Sequence, residues 1–237
     1  MSLYLIFMGV QGAGKGMQAG TISETYNIPH VSTGDLFRAM RTREDDLARK
    51  IQQIMAEGRL VSDADTAEVL RDRLERSDAA DGFILDGFPR NVAQAEWVNE
   101  YLAERGEQLT GVLYLSLDLY TAFKRAFGRV TASNGDSYNI YYNADGIDWE
   151  FTDHPEKAYP PRLEARVKDT GEMLKRRPDD ANAHAVLTRI DTYIESTQPL
   201  IDYYRDQGLL IEIDADQPID AVTAAITEAI GQVQQTS

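Results

Sequence analysis

Residues Gly9-Val10-Gln11-Gly12-Ala13-Gly14-Lys15-Gly16 directly follow the apolar run Leu3–Met8 and lead into a helical stretch, Lys15–Tyr26. A glycine-rich loop set between a strand and a helix constrains the fold of this chain more than any other feature. Small residues let consecutive backbone N–H groups turn inward around an anion, at the positive end of the helix that follows. Gly9, Gly12, Gly14 and Gly16 are spaced for that purpose, because a Cβ there would block either φ > 0 or the close approach of phosphate. Lys15 then reaches the outer phosphates as a point charge. The competing reading is a turn that only joins strand to helix. The β-branched and aromatic residues before the loop, with a helix after it, count against that reading.

With 237 residues the chain can hold one α/β core with an inserted flap, or at most two small domains. Strand signals at Leu3–Met8 and at residues 29–31, 82–85, 112–117 and 209–213 alternate with helical stretches, which predicts a parallel, doubly wound sheet. Ser62 followed by Asp65 marks the capped start of a helix running to about Arg76. Ile219, Val222, Ile226, Ile230 and Val233 recur at helical spacing and predict the core face of the last helix. A long helix over 181–204 carries Ile190, Ile194 and Ile201 in the same way. Residues 128–180 break the rhythm with turn residues, a tyrosine-rich segment at 137–142 and Pro160-Pro161, and read as a lid or small inserted domain.

No segment approaches membrane-spanning length, and the short N-terminal apolar run lacks a basic flank, so it reads as a strand and not as a signal peptide. The absence of cysteine excludes disulfides, thiolate zinc sites and cysteine nucleophiles, and fits a reducing cytoplasm. A net charge of −15 argues against nucleic acid or an anionic membrane as partner. A protein of that charge that handles phosphates has to bring several arginines together in one cleft.

Three further segments make the loop specific: Val31-Ser32-Thr33-Gly34-Asp35-Leu36-Phe37-Arg38; Gly82-Phe83-Ile84-Leu85-Asp86-Gly87-Phe88-Pro89-Arg90 with Gln94 beyond; and Asp169-Thr170-Gly171-Glu172 leading to Arg177, Asp179, Asp180 and Arg189. In order and separation they closely resemble the adenylate kinases, nucleoside monophosphate kinases that interconvert ATP plus AMP with two ADP. The resemblance covers almost the entire chain. It implies a P-loop three-layer α/β sandwich with a central parallel five-stranded sheet, helices on both faces and an inserted lid. The implied core is 1–127 and 181–237, containing a monophosphate-binding segment 32–61, with the lid at 128–180. The implied enzyme is a cytoplasmic monomer using Mg²⁺ with ATP, of the long-lid type, without structural zinc.

The residues make chemical sense on those terms. Asp86 ends a strand at the carboxyl edge of the sheet, where its carboxylate can hold Mg²⁺ through water; the alternative is a helix cap. Asp35 is placed either to share the ion or to cap a helix. Arg38 and Arg90 resemble the family's clamp on the acceptor's α-phosphate, each able to offer two parallel N–H bonds. Gln94 can present both a donor and an acceptor to the adenine edge. The resemblance lines the rest of the AMP pocket with Thr33, Arg59, Leu60, Val61, Gly87, Phe88 and Pro89, and adds Arg177 and Arg189. On the ATP side it implies Gly12, Ala13, Gly14, Lys15, Gly16, Met17, Arg125, Arg129, Ser137, Tyr138 and Gln217, with Arg125 stacked on the base. Lys15, Arg90, Arg129, Arg177 and Arg189 form the implied catalytic set, while Arg162, Arg166 and Arg176 have no matching role and read as solvated.

Phosphoryl transfer depends on in-line positioning and charge neutralisation without a protein nucleophile, and needs a closing lid to exclude water. Two departures from the family stand out. Met17 replaces a hydroxyl residue, removing one polar contact near the phosphates. Residues 144–159 intervene between Asn143 and the proline pair; His154 in that insertion reads as a surface or packing residue, and Tyr138, Tyr141, Tyr142 and Trp149 as a small lid core. Arg90-Asn91 suggests a pyrimidine monophosphate kinase of UMP/CMP type as the rival, but Thr33 and Gln94 favour AMP. A nucleotide-binding module without chemistry would not need the full set of phosphate-facing charges.

Overall fold

The computed structural model describes residues 2–56, 61–153, 162–177, 180 and 182–236. In chain order the elements are β1 Leu3–Met8, α1 Lys15–Tyr26, β2 His30–Ser32, α2 Thr33–Met40, α3 Asp46–Ala56, α4 Asp63–Leu74, β3 Gly82–Asp86, α5 Val92–Ala103, β4 Gly111–Ser116 and α6 Leu119–Phe127. They continue with β5 Arg129–Thr131, β6 Ser137–Asn139, β7 Ile147–Thr152, β8 Arg162–Val167, α7 Ala183–Asp206, β9 Leu210–Asp214 and α8 Ile219–Thr236. The chain divides into two compact units: Met1–Gly9, Gly14–Ser116 and Ser196–Ser237 make the first, Val10–Ala13 and Leu117–Glu195 the second.

The first unit holds a parallel five-stranded sheet in the order β2-β3-β1-β4-β9. Its central strand β1 is buried along its whole length, as a parallel strand covered on both faces must be. Tyr4, Ile6 and Met8 join one apolar cluster with Leu70 and Leu74 of α4, Val98 and Leu102 of α5, and Leu200 and Tyr204 of α7. Side chains alternate along a strand, so Leu3, Leu5 and Phe7 face the opposite side, where α1 and α8 pack. All five strands lie within two residues of the sequence expectation. That accuracy follows from apolar runs bounded by turn residues, which are local signals.

Among the described residues, side chains cap six helix starts, including α3, where Asp45 Oδ1 accepts from Ala48 N at 3.0 Å, and α7, where Asn182 Oδ1 accepts from Ala185 N at 2.9 Å. Ser32 Oγ accepts from Asp35 N at 3.4 Å, Ser62 Oγ from Asp65 N at 3.1 Å, Asn91 Oδ1 from Gln94 N at 2.9 Å and Asp118 Oδ2 from Thr121 N at 2.8 Å. Two core faces are shorter than expected. Val222, Ile226 and Ile230 of α8 are buried but Ile219 is exposed, and α7 buries Ile190 and Ile201 but not Ile194. Helical spacing assigns a face; it does not say how far along that face the neighbouring element extends.

In the second unit, the stretch expected to lack a strand rhythm forms two antiparallel ribbons, β5–β6 and β7–β8. β5 and β6 are three residues each, too short to register as period-2 patterns. Their core is aliphatic, built from Val130, Ala132, Ile140, Ile147, Leu163, Ala165 and Leu174, with Tyr138 packed against it. Tyr141, Tyr142 and Trp149 are exposed, which corrects the expected aromatic lid core. Trp149 instead packs edge-on to Phe151, which stacks on Phe127. Arg162 and Arg166 are exposed, but Arg176, expected to be solvated, is half-buried. Its guanidinium lies 4.8 Å over the Phe127 ring and donates to the Phe127 carbonyl, and burial pushes its pKa down. His154 and the proline pair lie outside the described residues.

Candidate active site

Register brings the first unit's candidates to one edge. Asp86 pairs with both Phe7 and Ser32, so β1, β2 and β3 end within one residue of one another and release Gly9, Thr33 and Gly87 at the carboxyl edge of the sheet. Ligands of open α/β folds bind along that edge. In the loop after β1, Gly9, Gly12 and Gly14 have φ of 143°, 92° and 87°, conformations only glycine adopts freely. Gly16 differs: it lies inside α1, and an added Cβ would meet Asp86 Oδ2 at an ordinary 3.6 Å. Unlike the six capped helices, α1 starts at Gly14 with no side-chain cap; its first turn carries no acid. Its first N–H groups and positive dipole end therefore suit an anion from outside the chain. Lys15 folds back on the loop, Nζ donating to Gly9 O at 2.7 Å. Met17 points outward, 49% exposed.

Next to the loop, Asp86 Oδ2 is 3.3 Å from His30 Nε2. A carboxylate beside a glycine loop suited to an anion fits Mg²⁺, which takes hard oxygen ligands and keeps several waters. Among the described residues no group of three or more His, Cys, Asp or Glu could enclose a metal ion. The Gly87 carbonyl accepts from both Thr33 Oγ1 at 3.0 Å and Arg90 Nε at 2.9 Å, tying the β2 and β3 edges together. Gly87 itself has φ 79°, and a Cβ there would sit 2.9 Å from Thr33 Oγ1. Phe88 and Pro89 are buried behind it.

Arg38 is exposed and bonded to Asp35 Oδ1 at 2.5 Å. Burial alone would raise the Asp35 carboxyl, but the hydrogen bond and charge of Arg38 outweigh it and hold its pKa below the usual range. Gln94 is 7% exposed; its Oε1 accepts from Arg90 N at 2.7 Å and its Nε2 donates to Asp63 Oδ1 at 2.6 Å. Val61 packs against the small α2–α3 cluster, while Arg59 and Leu60 lie outside the described residues. Gln217 is exposed and donates to Asp214 Oδ2 at 3.1 Å.

The second unit carries the remaining candidates. Gly12 is closely approached by α6: a Cβ would lie 2.6 Å from Ala122 O and 3.2 Å from Arg125 Cβ. The Arg125 guanidinium lies 5.7 Å over the Tyr142 ring, and its carbonyl accepts from Asn139 Nδ2 at 2.9 Å. Asp180 is fully buried and bonds Arg129 Nη2 through Oδ2 and Arg189 Nη1, at 2.5 Å, through Oδ1. One carboxylate thus joins two of the expected phosphate-facing arginines. Arg177 and Ser137 are exposed, and Tyr138 is half-buried.

Three residues were not singled out from sequence for the jobs they do here: His30 against Asp86, Asp63 against Gln94, and Asp180 between two arginines. Asp180 belongs to the segment leading from Asp169 to Arg189, in which its sequence position assigns it no role. The other two are polar residues at a strand start and a helix start, where a local purpose is always available.

A family profile described as "Adenylate kinase" matches residues 7–209. The adenylate kinase of Moorella thermoacetica is 40% identical over 229 residues, covering 96% of this chain and 98% of that protein. Those of Clostridioides difficile and Bacillus licheniformis are each 39% identical over 228 residues, covering 96% of this chain and 98% and 97% of their own length.

Proposed function

The chain belongs to the adenylate kinase family and is a phosphotransferase, and on that premise we propose that it moves the terminal phosphoryl group of ATP reversibly to AMP, giving two ADP. The observation that carries this reading is the uncapped start of α1 behind the glycine loop, with Asp86, Thr33, Gly87 and Arg90 at the same sheet edge. One feature holds a phosphate; the other supplies an acceptor site beside it.

The division of labour follows from charge and geometry. The loop N–H groups of Gly12, Ala13, Gly14, Gly16 and Met17 cradle the ATP phosphates, and Lys15 leaves Gly9 O to meet the outer ones. Asp86, with Asp35 as second candidate, would hold Mg²⁺, which when bound would neutralise charge on the transferring phosphates. Arg38 exchanges Asp35 for the AMP phosphate; an exposed pair contributes little, so the exchange costs little. Arg90 is the second arm of that clamp, and Thr33, Arg59, Leu60, Val61, Gly87, Phe88 and Pro89 line the pocket. Gln94 reads the adenine. Arg129, Arg177 and Arg189 neutralise the transferring group, two of them held by Asp180. Arg125, Ser137, Tyr138 and Gln217 contact ATP.

Residues 128–180 serve as the lid over a core of 1–127 and 181–237, and 32–61 closes over the monophosphate; both are needed to keep water from the phosphoryl group. Cytoplasmic, monomeric action is typical of the family and is proposed here, with no nucleic acid or membrane partner. No helix among the described residues is long and apolar enough to cross a membrane. A coupled ADP-production assay with AMP, CMP and UMP, with and without Mg²⁺, tests the reading. We expect AMP to be preferred and Mg²⁺ to be required, and Arg90→Ala to lower kcat/KM by about a thousandfold or more. Faster turnover of CMP or UMP would overturn the AMP assignment; unchanged Arg90→Ala activity would overturn the clamp.

A further inference from the structure

We infer that Asp63 sets which purine the acceptor site takes, by locking the direction of the Gln94 amide so that it selects a 6-amino base over a 6-keto base. The inference rests on the reading that Gln94 faces the acceptor base.

The locking follows from a closed ring of hydrogen bonds whose ends cannot be reversed. The backbone N–H of Arg90 can only donate, and it meets Gln94 Oε1 at 2.7 Å. The backbone N–H of Gln94 can only donate, and it meets Asn91 Oδ1 at 2.9 Å. Asn91 must then turn Nδ2 outward, and it donates to Asp63 Oδ2 at 2.9 Å. Gln94 likewise turns Nε2 outward, donating to Asp63 Oδ1 at 2.6 Å. Two donors thus converge on one residue at the first position of α4, and each meets its own oxygen, which a carboxylate supplies on both sides. The two amides, usually ambiguous in direction, have one orientation each.

A primary amide has two hydrogens and two lone pairs. The ring uses one of each on Gln94, leaving one Nε2 hydrogen and one Oε1 lone pair in fixed order for a ligand. Adenine offers an acceptor at N1 and a donor at its 6-amino group, which matches that order. Hypoxanthine and guanine offer a donor at N1 and an acceptor at O6, the reverse. To meet them the amide would have to turn over, setting Oε1 against the Asp63 carboxylate and the NH₂ group against the Arg90 N–H. A site built to hydrogen-bond one pattern rejects the other because its own groups are left unpaired. Asp63 is therefore a positioning residue for specificity, acting through Gln94.

The test measures kcat/KM for AMP and for IMP in the wild type, Asp63→Asn, Asp63→Ala and Gln94→Ala. Asn at position 63 sets an NH₂ where one of the two oxygens stood, against a donor of Asn91 or of Gln94, so the ring no longer fixes the direction of the Gln94 amide. We expect the AMP-over-IMP ratio to fall about tenfold in Asp63→Asn, the effect of about one hydrogen bond, and in the same direction in Asp63→Ala. General structural damage would lower both substrates together and leave the ratio in place, so an unchanged ratio overturns the inference. If Gln94→Ala collapses the ratio while both Asp63 variants keep it, only the inference fails. If Gln94→Ala leaves AMP turnover and the ratio untouched, the reading of Gln94 as the base contact fails, and the inference with it.

Discussion

At Gly12, φ 92°, an added Cβ would lie 2.6 Å from the Ala122 carbonyl oxygen, a backbone atom and not the end of a flexible side chain. Gly12→Ala should therefore cost about 1–3 kcal/mol in strain and weaken ATP binding, read as a lower melting temperature and less stabilisation by added ATP. An unshifted melting temperature in both conditions would show that the α6 approach is unimportant. Asp180 illustrates the opposite case, a residue whose importance comes from burial. It is fully buried and meets two guanidinium groups, so removing its charge would leave both arginines without that partner carboxylate. Sequence placed Arg129 and Arg189 among the phosphate-facing groups from motif position, but their shared carboxylate lies 51 residues from Arg129. Nothing local connects them.

Among the elements, β1, α1 and the cap at Ser62 were legible because each is encoded within a few neighbouring residues. The ribbons of the second unit were not. Their strands are short, and β7 leaves Asp148 and Glu150 exposed on one side and Trp149 and Phe151 exposed on the other. The expected aromatic core rested on hydrophobicity, which says that a side chain prefers burial but not that a partner surface exists to bury it. The aliphatic residues hold the unit instead. Leu163→Ala, inside that cluster, should lower stability by about 2–5 kcal/mol, measured by urea unfolding. Trp149→Ala, at an exposed position, should change stability far less.

For the whole molecule, the charge of −15 is partly organised into pairs that lower carboxylate pKa values. The hydrogen bond from Arg73 holds Asp78 below the usual range, and those from Lys50 and Ser62 do the same for Asp65. A carboxylate depressed on folding contributes stability above its unfolded pKa of about 4 and loses it as pH falls through the folded value. The melting temperature should thus be nearly flat from neutral pH to about pH 5 and drop below about pH 4. In Asp78→Asn the neutral plateau should be lower and the acid drop shallower. An acid limb identical in wild type and variant would remove Asp78 from the account.

The amino-acid sequence by itself determined the order of features along the chain: a glycine-rich loop after β1, a carboxylate at the end of β3, arginines in motif positions and a long insertion before α7. Those are statements about neighbours, and periodicity, turn chemistry and motif spacing act between neighbours. Only the tertiary structure decided that Asp63 faces Gln94 across 31 residues, that Asp180 joins two arginines, that Arg176 lies on Phe127, and that Tyr141 and Tyr142 stay exposed. Each of these depends on which surfaces meet after the chain packs. A hydrogen bond or an ion pair then fixes direction and charge at a range no local pattern encodes.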